Sequence, residues 1–106
     1  LITGKLGDSL DVAAGAAAAR RCAISLLAQV RAACEGDLGR LKRVVKLTGF
    51  VNSTPDFTDQ PKVINGTSDL MAEVFGEGGK HTRFAVGAPT LPLGVAVEVD
   101  GGFELG

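Results

Sequence analysis

The segment KHTRFAVGAPTLPLGVAVEVD, residues 80–100, decides the fold that the sequence predicts. It contains two runs with the composition of β-strands, separated by a turn rich in proline and glycine. The first run, Thr82–Ala88, carries Arg83, and the second, from Val95 to about Leu105, carries Glu98. We therefore predict two paired strands that bring an arginine and a carboxylate onto one sheet.

The second run divides into an apolar and a polar face. Valines at three positions alternate with small or acidic residues, in the order Val95, Ala96, Val97, Glu98, Val99 and Asp100. Because successive side chains of a strand point to opposite faces, the valines are predicted to face the core. The acidic face is then either exposed to solvent or part of a site.

Arg83 and Glu98 each have a functional and a structural interpretation. A guanidinium matches a carboxylate with two parallel hydrogen bonds, so Arg83 is a candidate anchor for a carboxylated ligand, or else one half of a structural ion pair. Glu98 is a candidate for positioning a water molecule or accepting a proton, or else a solvated strand residue.

A run of alanines opens the first predicted helix, which extends from about Val12 to Cys34 with an amphipathic pattern of apolar residues. Asp8, Ser9 and Asp11 are alternative N-caps of this helix. Gly36 is a natural residue to end it.

A strand and a second helix follow. The strand is predicted over Arg43–Asn52, and Gly49 within it predicts a bulge or a close backbone approach. One face of this strand is predicted to carry Val45, Leu47, Gly49 and Val51, and the other Val44, Lys46, Thr48 and Phe50. The helix is predicted from Pro61, in its first turn, to about Phe75.

The element order predicts an α+β domain of two layers, with both helices on one face of a single sheet. The whole chain, residues 1–106, is predicted to be a single domain. Two long helices need a wider sheet than three strands supply, so we expect further strands before Leu1.

Composition and motifs exclude several classes of protein. Nucleic-acid-binding proteins usually carry an excess of basic residues on one face. The net charge of this chain is −1, so a nucleic-acid partner is not expected. No apolar run is long enough to span a bilayer, so no membrane partner is expected either. Cys22 and Cys34 fall in one predicted helix, about 18 Å apart and beyond disulfide reach, which favours a reducing, cytoplasmic location. No glycine-rich phosphate-binding motif is present, so no cofactor is expected.

Several segments of the chain, in order, resemble the RidA/YjgF family, which is also labelled endoribonuclease L-PSP or translation initiation inhibitor. These segments are Gly4–Asp8, Asp11–Ala14, the alanine-rich helix, Val45–Asn52, Val74–Glu77, His81–Arg83 and Val95–Val99. The chain is most similar to the YjgF-like subgroup with a His-Ala-Arg-Ser-Ala-Val-Gly segment, which corresponds to His81–Gly87 here.

The resemblance implies a chorismate-mutase-like fold, with a mixed sheet and two helices on one face. It implies a homotrimer with clefts between subunits, and hydrolysis of reactive enamines and imines to 2-keto acids and ammonia. Arg83 then binds the substrate carboxylate, and Glu98 places the attacking water. Ala85, also assigned to substrate binding, stands where the family often has a cysteine, so no thiol contribution is expected.

The chain also departs from the family pattern. Phe84 replaces a small residue, and Gly101-Gly102 replaces larger strand residues. The N-terminal hairpin of the family is absent from this sequence, so we expect that the domain is truncated there. Alternative functions are a non-catalytic homotrimer that binds carboxylated metabolites and an RNA-cleaving protein of the endoribonuclease type.

Other candidate residues carry weaker signals. His81 lacks partners at metal-ligand spacing, so a surface or interface role is favoured and no metal is expected. The basic residues Arg40, Lys42, Arg43 and Lys46 are interpreted as a solvated strand edge, because only Phe50 lies near them as a stacking surface. No serine or threonine has a visible base partner, so covalent catalysis is not predicted.

Overall fold

A computed structural model describes residues 2–37, 41–79 and 81–105 of the chain. The elements in chain order are helix α1 (Val12–Ala33), strand β1 (Leu41–Asn52), helix α2 (Gln60–Phe75), strand β2 (Thr82–Ala88) and strand β3 (Val97–Leu105). One-turn 3₁₀ helices follow α2 and precede β3. These bounds confirm the predicted order and the α+β class.

The three strands form one mixed sheet in the order β2-β1-β3. Strand β1 runs parallel to β2 and antiparallel to β3. The prediction that the strands of Arg83 and Glu98 pair with each other is therefore wrong. Strand β1, the longest of the three, lies between them and pairs with both. The chain therefore passes across the end of β1 on its way from β2 to β3.

Both helices cover the same face of the sheet, as predicted. One buried cluster joins Ala18 and Ala19 of α1 to Ile64 of α2 and to Val51 and Val97 of the sheet. A second cluster lies further along the same layer and includes Ala23, Val30, Cys34, Leu41, Val44, Leu47, Leu70 and Met71. The chain thus buries a two-layer core made almost entirely of aliphatic side chains.

Two close approaches hold α2 in its place. A Cβ atom on Gly49 would lie 2.6 Å from Cγ1 of Ile64, so the helix packs into a notch in β1 that only glycine leaves open. Between the helices, the buried Thr67 donates a hydrogen bond of 2.6 Å to the carbonyl of Ala19. The close approach predicted for Gly49 is confirmed.

The predicted faces are wrong at two places. A register shift between Val44 and Lys46 turns Val44 into the core and leaves Val45 38% exposed. Ala96, predicted on the polar face, is fully buried because β3 begins only at Val97. Its amide instead donates to the carbonyl of Ile2, which brings the N-terminal segment against the sheet.

Candidate functional site

Arg83 lies on the helix-covered face of the edge strand β2. It pairs with Leu47, which is fully buried beneath the helices. Its guanidinium donates to the hydroxyl of Ser68 at 3.0 Å and to the carbonyl of Pro61 at 3.3 Å, both on α2. Among the described residues these contacts engage two of the five N–H donors of the group, and they fix its position beside α2 at the edge of the sheet.

His81 completes a hydrogen-bonded cluster with Ser68 and Arg83, which we call the Arg83 cluster. The ring atom Nδ1 lies 2.5 Å from the carbonyl of Gly79, and Nε2 lies 3.0 Å from Oγ of Ser68. A carbonyl can only accept, so Nδ1 carries the proton, and in the neutral ring Nε2 accepts from the Ser68 hydroxyl. All three side chains are half-buried.

No base partner is visible for any serine at a recognisable sequence spacing, but the fold places His81 beside Ser68. Ser68 and His81 are 13 residues apart in the sequence, and the 3₁₀ turn Gly76–Gly79 brings the chain back along α2 before β2 starts. One feature of the sequence does point to this cluster: His81 and Arg83 are two residues apart, which places both side chains on one face of a strand. Nothing in the sequence distinguishes Ser68, which lies on the helix above them, from other helical serines.

Glu98 lies away from the Arg83 cluster. It pairs with Phe50 on β1, and its neighbours Val97 and Val99 pack against the helix layer, so Glu98 points from the opposite face of the sheet and is exposed. From the register, its Cα lies about 14 Å from that of Arg83, two strands across and three residues along. Within one chain, the two predicted site residues do not meet.

Because β3 is an edge strand, Glu98 also lines a groove of about 820 Å³ between β3 and α1 at that edge of the sheet. Cys22 and Arg21 of α1 line the same groove. The thiol of Cys22 lies 3.5 Å from the carbonyl of Val97. Burial, and secondarily the negative charge of Glu98, raise the pKa of the Cys22 thiol. The thiol therefore stays protonated, which makes it a poor nucleophile.

Ala85 shares the face of Arg83, two residues further along β2. It pairs with Gly49 and packs half-buried against the first core cluster. A small side chain fits here because the neighbouring Ile64 fills the notch above Gly49. Contact between Ala85 and a ligand stays a prediction.

The basic residues of β1 have partners within the chain. Lys42 and Arg43 each lie 3.7 Å from the carboxylate of Glu104, and Nζ of Lys46 lies 5.2 Å from the ring centre of Phe84. Arg40, predicted to belong to this group, lies outside the described residues. The described residues of this group are solvated, as predicted, but they lie on the central strand of the sheet and not on an edge strand.

The face of the sheet opposite the helices carries exposed apolar side chains, and we call it the uncovered face. Phe84 is 58% exposed and Val86 is 42% exposed, and both pair with residues of the same face of β1, Thr48 and Phe50. Contiguous apolar surface of this kind marks contact with another molecule. Glu98 lies on this same face.

Two classes of site find no support in the described ranges. Within residues 2–37, 41–79 and 81–105, no three histidine, cysteine, aspartate or glutamate side chains are grouped so that they could hold a metal ion. No helix of these ranges has the length and apolar character needed to cross a bilayer.

The chain matches known proteins over almost its whole length. Residues 1–100 match the family described as "YjgF/chorismate_mutase-like, putative endoribonuclease". Protein TCP17 of Trypanosoma cruzi is 58% identical over 105 residues, which are 98% of this chain and 65% of TCP17. The chain thus spans just under two thirds of the length of that relative.

Two solved structures share its fold. Atu1372 of Agrobacterium tumefaciens, a protein of unknown function, superposes with a TM-score of 0.98 at 50% identity, over 99% of this chain and 67% of the other. A "putative endoribonuclease" of Shewanella oneidensis superposes with a TM-score of 0.94 at 37% identity, over 99% of this chain and 69% of the other.

Proposed function

Because this chain belongs to the YjgF/chorismate mutase-like family, we propose that it hydrolyses reactive 2-imino and 2-enamino acids to 2-keto acids and ammonia. The proposed site is a cleft between subunits of a homotrimer in the cytoplasm. The observation that carries the proposal is the guanidinium of Arg83, held on an edge strand by Ser68 and Pro61. A fixed guanidinium is suited to two parallel hydrogen bonds with a substrate carboxylate.

The site is proposed to draw its two functional residues from different subunits. Arg83 and Glu98 of one chain project from opposite faces of the sheet, so they can act together only across an interface. Arg83 of one subunit holds the carboxylate, with Ala85 beside it, and Glu98 of the neighbour orients the water. The apolar residues around Glu98 on the uncovered face supply surface for that neighbour.

The reaction needs little from the protein beyond positioning. The carbon of a protonated imine is already electrophilic, so water adds to it as Glu98 accepts a proton. Return of that proton to the amine nitrogen makes ammonia the leaving group. As the C–N bond breaks, the hydroxyl proton passes to Glu98, and the 2-keto acid remains on Arg83. Holding the reactants in this geometry is the main source of acceleration.

Subunit complementation tests the proposed site. Wild-type protein is expected to release ammonia from enzymatically generated 2-aminoacrylate, and Arg83→Ala and Glu98→Gln are each expected to be inactive. In mixed trimers of the two variants, about a quarter of the clefts contain both native residues if these come from different subunits. We expect about that fraction of wild-type activity; no recovery would show that the two residues do not act across an interface.

A non-catalytic homotrimer that binds carboxylated metabolites is the second candidate. The separation of Glu98 from Arg83 within the chain favours it, since binding needs only the arginine. It predicts binding of a 2-keto acid without turnover, lost in Arg83→Ala and unchanged in Glu98→Ala. An endoribonuclease is the third candidate and predicts a salt-sensitive association with RNA, for which a net charge of −1 offers little attraction.

A further inference from the structure

The Arg83 cluster has the arrangement of an activated serine. Oγ of Ser68 lies 3.0 Å from Nε2 of His81, within the reach needed for proton transfer. The other ring nitrogen, Nδ1, donates a hydrogen bond to the carbonyl of Gly79, which fixes the tautomer and the orientation of the imidazole. Nucleophile, base and orienting group therefore occur in the order that activates serine in unrelated hydrolases.

The guanidinium of Arg83 adds a positive charge to this arrangement. It donates to Oγ of Ser68 at 3.0 Å, so negative charge that develops on or beside this oxygen is stabilised. His81, Ser68 and Arg83 are each half-buried and so retain some accessible surface. The hydroxyl of Ser68 therefore has a base on one side and a cation on the other, and both contacts favour loss of its proton.

We propose that Ser68 is a nucleophile for acyl transfer, with His81 as its base, and that it hydrolyses small esters whose acyl group carries a carboxylate. Oγ of Ser68 bonds to the acyl carbon as its proton passes to Nε2 of His81. The ester C–O bond breaks and the leaving alcohol takes that proton. Water then adds to the acyl-serine, gives a proton to Nε2, and the acid leaves as Oγ regains its proton.

The substrate class follows from Arg83. A guanidinium next to the nucleophile favours an acyl group with a second, negatively charged end, such as a hemisuccinate. This activity shares Arg83 with the proposed deaminase but requires neither Glu98 nor a second subunit. Its test is therefore independent of whether imines are substrates.

Covalent labelling is the direct test. The full chain is incubated with a fluorophosphonate, and the labelled residue is identified by mass spectrometry. We expect labelling at Ser68, absent in Ser68→Ala and about 100-fold slower in His81→Asn, whose amide can still donate to Gly79 but supplies no base. Ser9→Ala, which removes an exposed hydroxyl outside the cluster, should be labelled like the wild type.

Ester hydrolysis tests the substrate class. Wild type is expected to hydrolyse 4-nitrophenyl hemisuccinate with a higher kcat/KM than 4-nitrophenyl acetate, and Arg83→Met is expected to lose this preference. Labelling that is absent from the wild type, or equally fast in a folded His81→Asn protein, would overturn the proposal. Equal hydrolysis of the two esters by the wild type would overturn the assigned substrate class.

Discussion

Ile64 occupies the space that a side chain on Gly49 would need. A Cβ atom there would lie 2.6 Å from Cγ1 and 3.1 Å from Cγ2 of Ile64, closer than carbon atoms pack in protein cores. We expect Gly49→Ala to lower the free energy of unfolding by about 1–3 kcal/mol through overpacking. Urea denaturation followed by circular dichroism measures the change.

The matched experiment introduces the same change where Ile64 has been shortened. In an Ile64→Ala background the added methyl group has room, so Gly49→Ala should cost clearly less than it does alone. Equal costs in both backgrounds would show that the glycine serves backbone conformation rather than packing.

The raised pKa of Cys22 gives stability a dependence on pH. The folded state holds the thiol proton of Cys22 more tightly than the unfolded chain does. The resulting contribution to the free energy of unfolding is complete at pH values below the pKa of the thiol in the unfolded chain. It is lost as pH rises above about 8.5, where unfolded thiols ionise. We expect the free energy of unfolding to fall with rising pH in this range, and less so in Cys22→Ala.

The contribution of Glu98 to the raised pKa of Cys22 can be measured separately from the contribution of burial. Burial is the larger cause, so Glu98→Gln should lower the pKa of Cys22 only in part. The rate of iodoacetamide modification against pH, read for the peptide that contains Cys22, measures it. A midpoint that does not move would show that the carboxylate is too well screened to act on the thiol.

At the scale of elements, Asp11 fixes where α1 begins. Its carboxylate accepts a hydrogen bond of 2.8 Å from the amide of Ala14, which selects it among the three predicted caps. Asp11→Ala should therefore cost about 1 kcal/mol of stability. Asp8→Ala is the control, since this exposed carboxylate precedes the helix and should change stability little.

Periodicity was sufficient to predict the elements but not the neighbours of each strand. The apolar alternation of β1 and β3 locates both strands, yet pairing depends on contacts between segments distant in sequence. The register shift that buries Val44 is likewise set by its pairing with Phe103 rather than by local composition. Val74, inside the predicted second helix, is 48% exposed, whereas its neighbour Phe75 packs against the second core cluster.

The candidate site could be predicted only in part, again because contacts between distant segments are not visible in the local sequence. Arg83 was found because an arginine among apolar strand residues is unusual. His81, two residues before it, lies on the same face of the strand. Ser68 was missed because a serine in a helix has no distinguishing pattern. That the side chains of Arg83 and Glu98 project from opposite faces follows only from the strand order β2-β1-β3.

For the whole molecule, the uncovered face is expected to be an interface between copies of this chain. Phe84, on the edge strand β2, is 58% exposed on this face, more than Val86 at 42%. Phe84→Asp would bury a charge at such an interface and should shift the protein to monomers. Light scattering after size-exclusion chromatography measures the assembly.

Leu93 provides the matched control for this substitution. It is 84% exposed, in the turn between β2 and β3, and so off the sheet face. Leu93→Asp should leave the assembly unchanged. Dissociation by Leu93→Asp, or none by Phe84→Asp, would place the interface elsewhere.

The strand order also determines when the fold can be acquired during synthesis. Strand β1 is made before its antiparallel neighbour β3, which follows only after α2 and β2 have been made. Until then one edge of β1 has unpaired amide and carbonyl groups, and α1 lacks the strand that it packs against through Val97 and Val99. Long-range pairing of this kind is slow, so the nascent chain is expected to depend on chaperones that shield apolar strands until β3 has been made.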